Sequence, residues 1–233
     1  MLWAGCIYTA DSDRRLFRMR TPYFAAALVI AAATVAAGAR PAAAADTKHS
    51  FAVHGIGALS CAEMANAMAQ VDPQTKATGE AAVRSTLASW MLGYVTALNR
   101  MDTGTYDATP VQDDVPMVNM VVGVCSKNPT VRVETVVSAI FTSLAKAKIP
   151  AESPEVKVTV GNQSTVLREA TLMSLEKALV AQKLLKSADA DGKFNDNVKA
   201  ALVKYQTAQK LPQTGLPDAD TVIRALVETP QKG

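Results

Sequence analysis

Two cysteines, Cys61 and Cys125, place the strongest constraint on how this chain can fold, provided that the chain reaches an oxidising compartment. In such compartments thiols pair readily, and an even number of cysteines in a secreted chain indicates a disulfide framework. A bridge between these two would close a loop of about 65 residues and stabilise the fold by roughly 4 kcal/mol in the chain-entropy model. The alternative is two thiols that are buried separately.

The compartment is indicated by a segment near the start of the sequence. Residues 24–39 (FAAALVIAAATVAAGA) carry no charge, four arginines lie just upstream, and a run of alanines follows. This pattern predicts a secretory signal peptide at residues 1–45 that is cleaved after Ala45, and therefore a periplasmic location with membrane contact only during export. An uncleaved anchor is the alternative, although a membrane span needs about 20 apolar residues. Met1 and Met19 both remain as candidate starts. The third cysteine, Cys6, would leave with the signal peptide.

Composition excludes some classes of function. The whole chain has 24 Lys and Arg against 21 Asp and Glu, a net charge of +3, and this excess lies within the predicted signal peptide. The rest of the chain is formally neutral, so charge gives no indication of nucleic-acid binding. Apolar residues make up 49% of the chain and aromatic residues only 5%, which favours packed helices over an aromatic-rich β-sandwich.

Residues 46–148 show the apolar spacing of a small helical domain. Ser60 and Glu63 have the spacing of a capping box at the start of a first helix. Apolar residues then recur at steps of three and four across 80–100 and again after Pro129, and each series makes one helical face. Between them, 115–124 is apolar enough for a helix or a strand, and we favour a helix. Four helices with one long-range crosslink are expected.

This region resembles two families of small secreted helical domains, the HdeA-like acid-stress chaperones and the Tai-type immunity proteins. The resemblance rests on Cys61, on the Trp90-Met91-Leu92-Gly93-Tyr94 segment, and on Cys125 followed by Ser126-Lys127-Asn128-Pro129. It implies a disulfide-stapled helical module without catalytic residues, and it leaves an envelope protein as a candidate partner. Trp90 and Tyr94 lie one turn apart, so they serve either as core residues or as a platform for a ligand.

Motifs for catalysis or metal binding are not expected. His49 and His54 are the only histidines, and neither lies near a group of carboxylates or thiols in the sequence. An EF-hand loop aligned on Gly192 would start at Ser187 and end at Val198, so it lacks the first carboxylate and the bidentate Glu. We therefore predict a protein that is not an enzyme and that needs no metal or cofactor. A cell-wall hydrolase is the alternative, and it would release soluble muropeptides.

The sequence changes character after residue 148. Residues 149–166 hold two prolines, one glycine and many polar side chains, and predict a linker with a short extended piece at Val156–Val160. Residues 167–233 then predict three helices. Leucines mark the first, turns at Asp191-Gly192 and Thr214-Gly215 separate the helices, and Asp218 can cap the last.

Residues 167–233 resemble the peptidoglycan-binding-like domain, a three-helix module found in proteins of the cell envelope. The residues that match are Asp191-Gly192-Lys193-Phe194, Ala201-Leu202, Tyr205-Gln206, Leu211, Thr214-Gly215, Asp218, Thr221 and Leu226. The sequence departs from the family pattern at four positions, with Glu176 for Gln, Asn195 for Gly, Val198 for Thr and Lys210 for Gly. The resemblance implies peptidoglycan as partner, through its glycan or its stem peptide.

Four residues are candidates for contact with that ligand, namely Asp191, Lys193, Tyr205 and Gln206. Polar edges beside an aromatic ring are typical of sites that bind sugars and peptides. Gln206 has an alternative role as a buried amide that bridges loop backbone groups. Lys193, Lys199 and Lys204 give this part of the chain a mildly cationic face, which suits wall-peptide carboxylates but equally suits an ordinary solvated helix.

Together these observations predict a mainly α protein in which a small disulfide-stapled helical domain precedes a three-helix peptidoglycan-binding-like domain. The expected function is non-catalytic, with the C-terminal domain binding peptidoglycan and so localising the N-terminal one. The alternative is a periplasmic acid-stress chaperone or immunity-type protein whose C-terminal domain is only a scaffold.

Overall fold

The computed structural model describes Asp46 and residues 50–228, and the predicted signal peptide, its cleavage site and His49 lie outside the described residues. From Ala52 onward the chain forms one compact unit. The described part holds seven α-helices and one two-stranded sheet, which confirms the mainly α prediction. In chain order the elements are α1 (Cys61–Ala69), α2 (Glu80–Met101), α3 (Asp114–Cys125), α4 (Val133–Leu144), β1 (Glu155–Val160), β2 (Gln163–Arg168), α5 (Glu169–Ala181), α6 (Asp196–Ala208) and α7 (Ala219–Ile223), the last continued by a π-helical turn at Arg224–Glu228.

The predicted capping box fixes the start of α1. The Ser60 hydroxyl accepts a hydrogen bond from the Glu63 amide at 3.2 Å, and the Glu63 carboxylate accepts one from the Ser60 amide at 2.7 Å. These two bonds satisfy amide groups that have no partner within the helix. The hydrogen bond from the Ser60 amide, together with one that the Ser60 hydroxyl donates at 2.8 Å, holds the pKa of the Glu63 carboxyl below its usual value. Each of the four predicted N-terminal helices is present.

The disulfide between Cys61 and Cys125 is present and joins the start of α1 to the end of α3. Both residues are buried, and their Cα atoms lie 5.0 Å apart. The bridge therefore fastens the ends of two helices that pack against each other in the first half of the fold. The core around it is apolar and includes Met64, Leu87, Met91, Val95, Met117, Val121, Val133, Val137, Ile140, Phe141 and Leu144.

Trp90 and Tyr94 pack inside this first half. The Trp90 indole N–H donates a hydrogen bond to the His54 carbonyl at 2.9 Å, and a Cβ atom added at Gly57 would overlap the indole ring. The Trp90 and Tyr94 ring centroids are 5.5 Å apart, and the Tyr94 and Phe141 centroids are 5.7 Å apart. These distances are typical of aromatic packing, which agrees with the core role for both residues.

Most of the segment predicted as a linker, residues 149–166, belongs to a packed β-hairpin made of Glu155–Val160 and Gln163–Arg168. Strands β1 and β2 pair antiparallel, and Val158 and Leu167 on the two strands are each only 2% exposed. The extended piece predicted at Val156–Val160 is confirmed as most of β1. Gly161, at a φ of +58°, lies in the turn between the strands. Glycine and polar residues mark a hairpin turn as well as a linker, and the alternating valines were the signal that separated the two.

The hairpin also connects the two halves of the fold. The Arg168 guanidinium forms an ion pair with the buried Asp107 carboxylate at 3.5 Å and donates a hydrogen bond to the Ser153 carbonyl at 2.9 Å. The Thr171 hydroxyl, at the start of α5, donates to the Pro110 carbonyl at 3.3 Å. Helix α5 is therefore tied to the loop between α2 and α3, where a free linker would leave the two regions independent.

The three C-terminal helices add their own buried residues to the same apolar core. None of the helices in the described part of the chain is long and apolar enough to cross a membrane. Phe194 and Leu211 are half-buried against this core. The buried members from these helices and the loop before α7 are Leu172, Leu175, Leu179, Val198, Ala201, Leu202, Tyr205, Leu216, Val222 and Leu226.

Candidate functional site

Asp191 and Lys193 lie at the surface in the loop before α6, on either side of Gly192. The Asp191 carboxylate accepts a hydrogen bond from the Lys193 amide at 3.0 Å, which fixes the turn. Gly192 itself is buried with a φ of +78°, a conformation that favours glycine, and an added Cβ would lie 3.2 Å from the Met173 side chain. The loop is therefore held against α5 while its two charged side chains face solvent.

Glu176 of α5 anchors this loop from below. Its side chain is fully buried, and its Oε2 atom accepts a hydrogen bond from the Gly192 amide at 2.7 Å. Its Oε1 atom has no hydrogen-bond partner among the described residues. Burial raises the pKa of the Glu176 carboxyl, the Gly192 amide opposes that shift, and the nearby Asp191 charge adds to it. One carboxylate oxygen thus makes the loop contact that a glutamine oxygen would make. Glutamate in place of the family's glutamine at position 176 therefore keeps the hydrogen bond that holds the loop.

Gln206 of α6 holds the loop between α6 and α7, called the second loop, through hydrogen bonds. Its side chain is fully buried, and its Oε1 atom accepts a hydrogen bond from the Gly215 amide at 2.8 Å. Its Nε2 atom lies within hydrogen-bond distance of three acceptors, the Leu216 carbonyl at 2.9 Å and the hydroxyls of Thr214 and Thr221 at 3.1 Å each. The alternative role of a bridging amide therefore describes Gln206, and its full burial argues against contact with a surface ligand.

Tyr205 is also fully buried, among the core residues of the three C-terminal helices. The expected stacking ring is consequently not presented at the surface. Tyr205 and Gln206 are adjacent in α6 and both face inward, whereas Asp191 and Lys193 face outward. Of the four candidates, the structure keeps only the last two available for a surface ligand.

Two capping residues position the helices that carry these loops. The Asn195 side chain accepts hydrogen bonds from the Asn197 and Val198 amides at 2.9 and 3.0 Å. Asn195 therefore caps the start of α6, at a position where the family pattern has glycine. Asp218 accepts from the Thr221 amide at 2.9 Å and from the Thr214 hydroxyl at 3.1 Å, which confirms the predicted cap. Sequence reasoning missed the Asn195 cap, although an Asn three residues before an apolar helix position is the usual signal.

These loops and caps lie within a segment that matches a known protein family. Residues 168–224 match a family model described as "Putative peptidoglycan binding domain". The match covers α5, α6 and α7, about a quarter of the chain, and supports a capacity to bind peptidoglycan. No curated protein and no solved structure matches the chain. The resemblance of the first half to HdeA-like and Tai-type domains therefore remains a prediction.

The structure shows no metal site in the part of the chain that it describes. No group of three or more His, Cys, Asp or Glu side chains there could hold a metal ion. His54 is exposed and contributes its carbonyl to the Trp90 contact.

Proposed function

We propose that this chain is a non-catalytic periplasmic protein that binds peptidoglycan through residues 167–233 and thereby positions its first four helices at the cell wall. The observation that carries this proposal is the family match over residues 168–224. The local structure supports it, because both loop anchors of the module, Glu176 and Gln206, are buried and hydrogen-bonded.

The surface that we assign to the ligand centres on the loop before α6. The Lys193 ammonium can bind a stem-peptide carboxylate, and the Asp191 carboxylate can accept a hydrogen bond from a glycan hydroxyl or a peptide amide. Lys204 is exposed on α6 and adds positive charge to the same helical unit. A shallow polar surface of this kind suits a repeated polymer, since many weak contacts along the wall add up.

The packed hairpin alters how localisation would work. A flexible linker would let the N-terminal helices sample a volume around the wall-bound domain. The described chain from Ala52 onward is one compact unit, so wall binding would carry all of it to the wall together.

Co-sedimentation with purified sacculi tests the proposal. The chain from residue 46 onward is expected to pellet with sacculi, and Lys193→Glu is expected to lower the pelleted fraction several-fold because it repels wall carboxylates. Lys157→Glu is the matched control, since Lys157 is exposed on β1 and makes the same charge change away from the loop. Failure of the unaltered chain to pellet would refute wall binding. Release of soluble muropeptides in the same incubation would refute the non-catalytic assignment.

A further inference from the structure

A cleft of about 390 Å³ lies between the segment that leads into α3, strand β2 and the loop before α7. Its lining comes from residues 110–116, 163–167 and 214–222. Buried apolar side chains contribute to it, among them Val111, Leu167 and Leu216. Residues 214–222 lie within the match to the peptidoglycan-binding family, whereas 110–116 and 163–167 lie outside it. The cleft is therefore composite, because matched and unmatched parts of the chain form it together.

One side of this cleft is the open edge of the hairpin. Val160 pairs with Gln163 across the two-residue turn, and the register continues so that Val158 opposes Thr165. In such a hairpin alternate residues bond to the partner strand, which leaves the backbone groups of Ser164 and Val166 pointing away from β1. Within residues 50–228 no further strand pairs with β2. An unpaired edge of this kind is a template for an added strand.

The other two sides of the cleft are held in place by internal hydrogen bonds. The Thr109 hydroxyl accepts from the Val111 amide at 3.0 Å, beside the start of α3. Across the cleft the Thr214 hydroxyl lies 3.1 Å from both the Asp218 carboxylate and the Gln206 amide. Walls that are already ordered lose little conformational entropy when a ligand binds. The cleft is therefore suited to binding without rearrangement.

The charge of the cleft is one-sided. Its lining includes three carboxylates, Asp113, Asp218 and Asp220, and includes no Lys or Arg. Arg224 lies one turn beyond Asp220 and outside the lining, and its positive charge acts on the Asp220 carboxylate, so Asp113 and Asp218 are the carboxylates farther along the chain from this cation. A stem peptide carries carboxylates and D-residues, so both the charge and the strand geometry disfavour it here. A cationic chain of L-residues fits both features.

We infer that this cleft docks an extended basic segment of a partner protein, which adds to β2 as a third strand and places its cationic side chains beside Asp113, Asp218 and Asp220. The site is separate from the proposed wall-binding loop at Asp191 and Lys193. If the docking proposal is wrong, the result with sacculi is unchanged. If the wall-binding proposal is wrong, the docking site in the cleft is unaffected.

Titration with a synthetic strand tests this inference. The probe is an acetylated and amidated hexapeptide of alternating lysine and valine, labelled for fluorescence anisotropy, and its counterpart has glutamate in place of lysine. The chain from residue 46 onward is expected to bind the lysine peptide saturably and more weakly at high salt, and not to bind the glutamate peptide. Equal binding of the two peptides, or no saturable binding of the first, would overturn the proposal.

Two sets of variants locate the binding. Val166→Pro removes an outward amide without removing a bond to β1, and is expected to weaken binding about tenfold or more. Lys157→Pro makes the matching change on the opposite strand, at the residue paired with Val166, and should leave affinity within about twofold. Asp113→Asn combined with Asp220→Asn keeps a capping side chain at α3, leaves Asp218 as the one carboxylate of the lining, and should weaken both the affinity and the salt dependence.

The outcomes that contradict the inference are distinct. Circular dichroism first establishes that each variant retains the helical fold of the parent chain. Unchanged affinity in folded Val166→Pro would show that the peptide binds elsewhere. Sedimentation showing a dimer that Val166→Pro dissociates would mean that the cleft binds a second copy of this chain. Displacement of the peptide by soluble muropeptides would assign the cleft to the wall instead.

Discussion

Replacement of Gln206 by leucine separates the role of a buried bridge from that of a ligand contact. The change keeps a side chain of similar length. It removes the Oε1 atom that accepts from the Gly215 amide and the Nε2 group that lies within hydrogen-bond distance of Leu216, Thr214 and Thr221. At about 1 kcal/mol for each of these contacts, and with the Gly215 amide and the Leu216 carbonyl left buried without this partner, we expect a loss of roughly 3–5 kcal/mol in the free energy of unfolding.

A loss of this size is large for a compact unit of this length. At about 2–4 °C of melting temperature for each kcal/mol, Gln206→Leu is expected to lower the melting temperature by roughly 6–20 °C. Thermal unfolding followed by circular dichroism at 222 nm measures the change. Gln213→Leu is the matched control, because Gln213 lies in the same loop region and is exposed.

The competing interpretation gives the opposite pair of results. If Gln206 contacted peptidoglycan, Gln206→Leu would lose sacculus binding at temperatures where the protein is still folded, with a melting temperature close to that of Gln213→Leu. A melting temperature within about 2 °C of the control would correspond to less than about 1 kcal/mol and would refute the bridging argument.

Two further predictions concern the disulfide and the buried glutamate. Changing Cys61 and Cys125 together to alanine should cost about 4 kcal/mol in urea unfolding, and a midpoint equal to that of the parent chain would contradict the crosslink argument. Glu176→Gln should raise the melting temperature at neutral pH but not near pH 4, because burial raises the pKa of the Glu176 carboxyl in the folded state. The stability that Glu176 contributes is therefore full below its unfolded pKa and is lost as the pH rises through the folded pKa. An equal effect of the substitution at both pH values would contradict this linkage.

Most helices of this chain could be predicted from local signals, either apolar residues at steps of three and four or a capping residue at the start. Ser60 with Glu63, and Asp218 before α7, are capping residues whose partners lie within one turn. The pairing of Cys61 with Cys125 also followed from counting, since the predicted signal peptide removes the third cysteine. These inferences needed no knowledge of how the helices pack against one another.

The roles of individual site residues were harder to predict because they depend on which side of a helix faces inward. Tyr205 and Gln206 are adjacent, and polar or aromatic identity alone suits either a ligand surface or a buried anchor. Four atoms from the loop before α7 and from α7 itself surround the Gln206 amide, and only the three-dimensional arrangement brings them there. The cleft beside β2 was equally hidden, because it combines three segments that are far apart in the sequence.

The hairpin explains why the two predicted domains should act as one. The Arg168 guanidinium lies 5.1 Å from the centre of the Tyr106 ring, in addition to its contacts with Asp107 and Ser153. All of these partners precede β1 in the sequence, whereas Arg168 begins the stretch that matches the peptidoglycan-binding family. A module that binds the wall would therefore fix the orientation of the first four helices as well as their location. The composite cleft would then face a constant direction, which a partner anchored in the envelope could exploit.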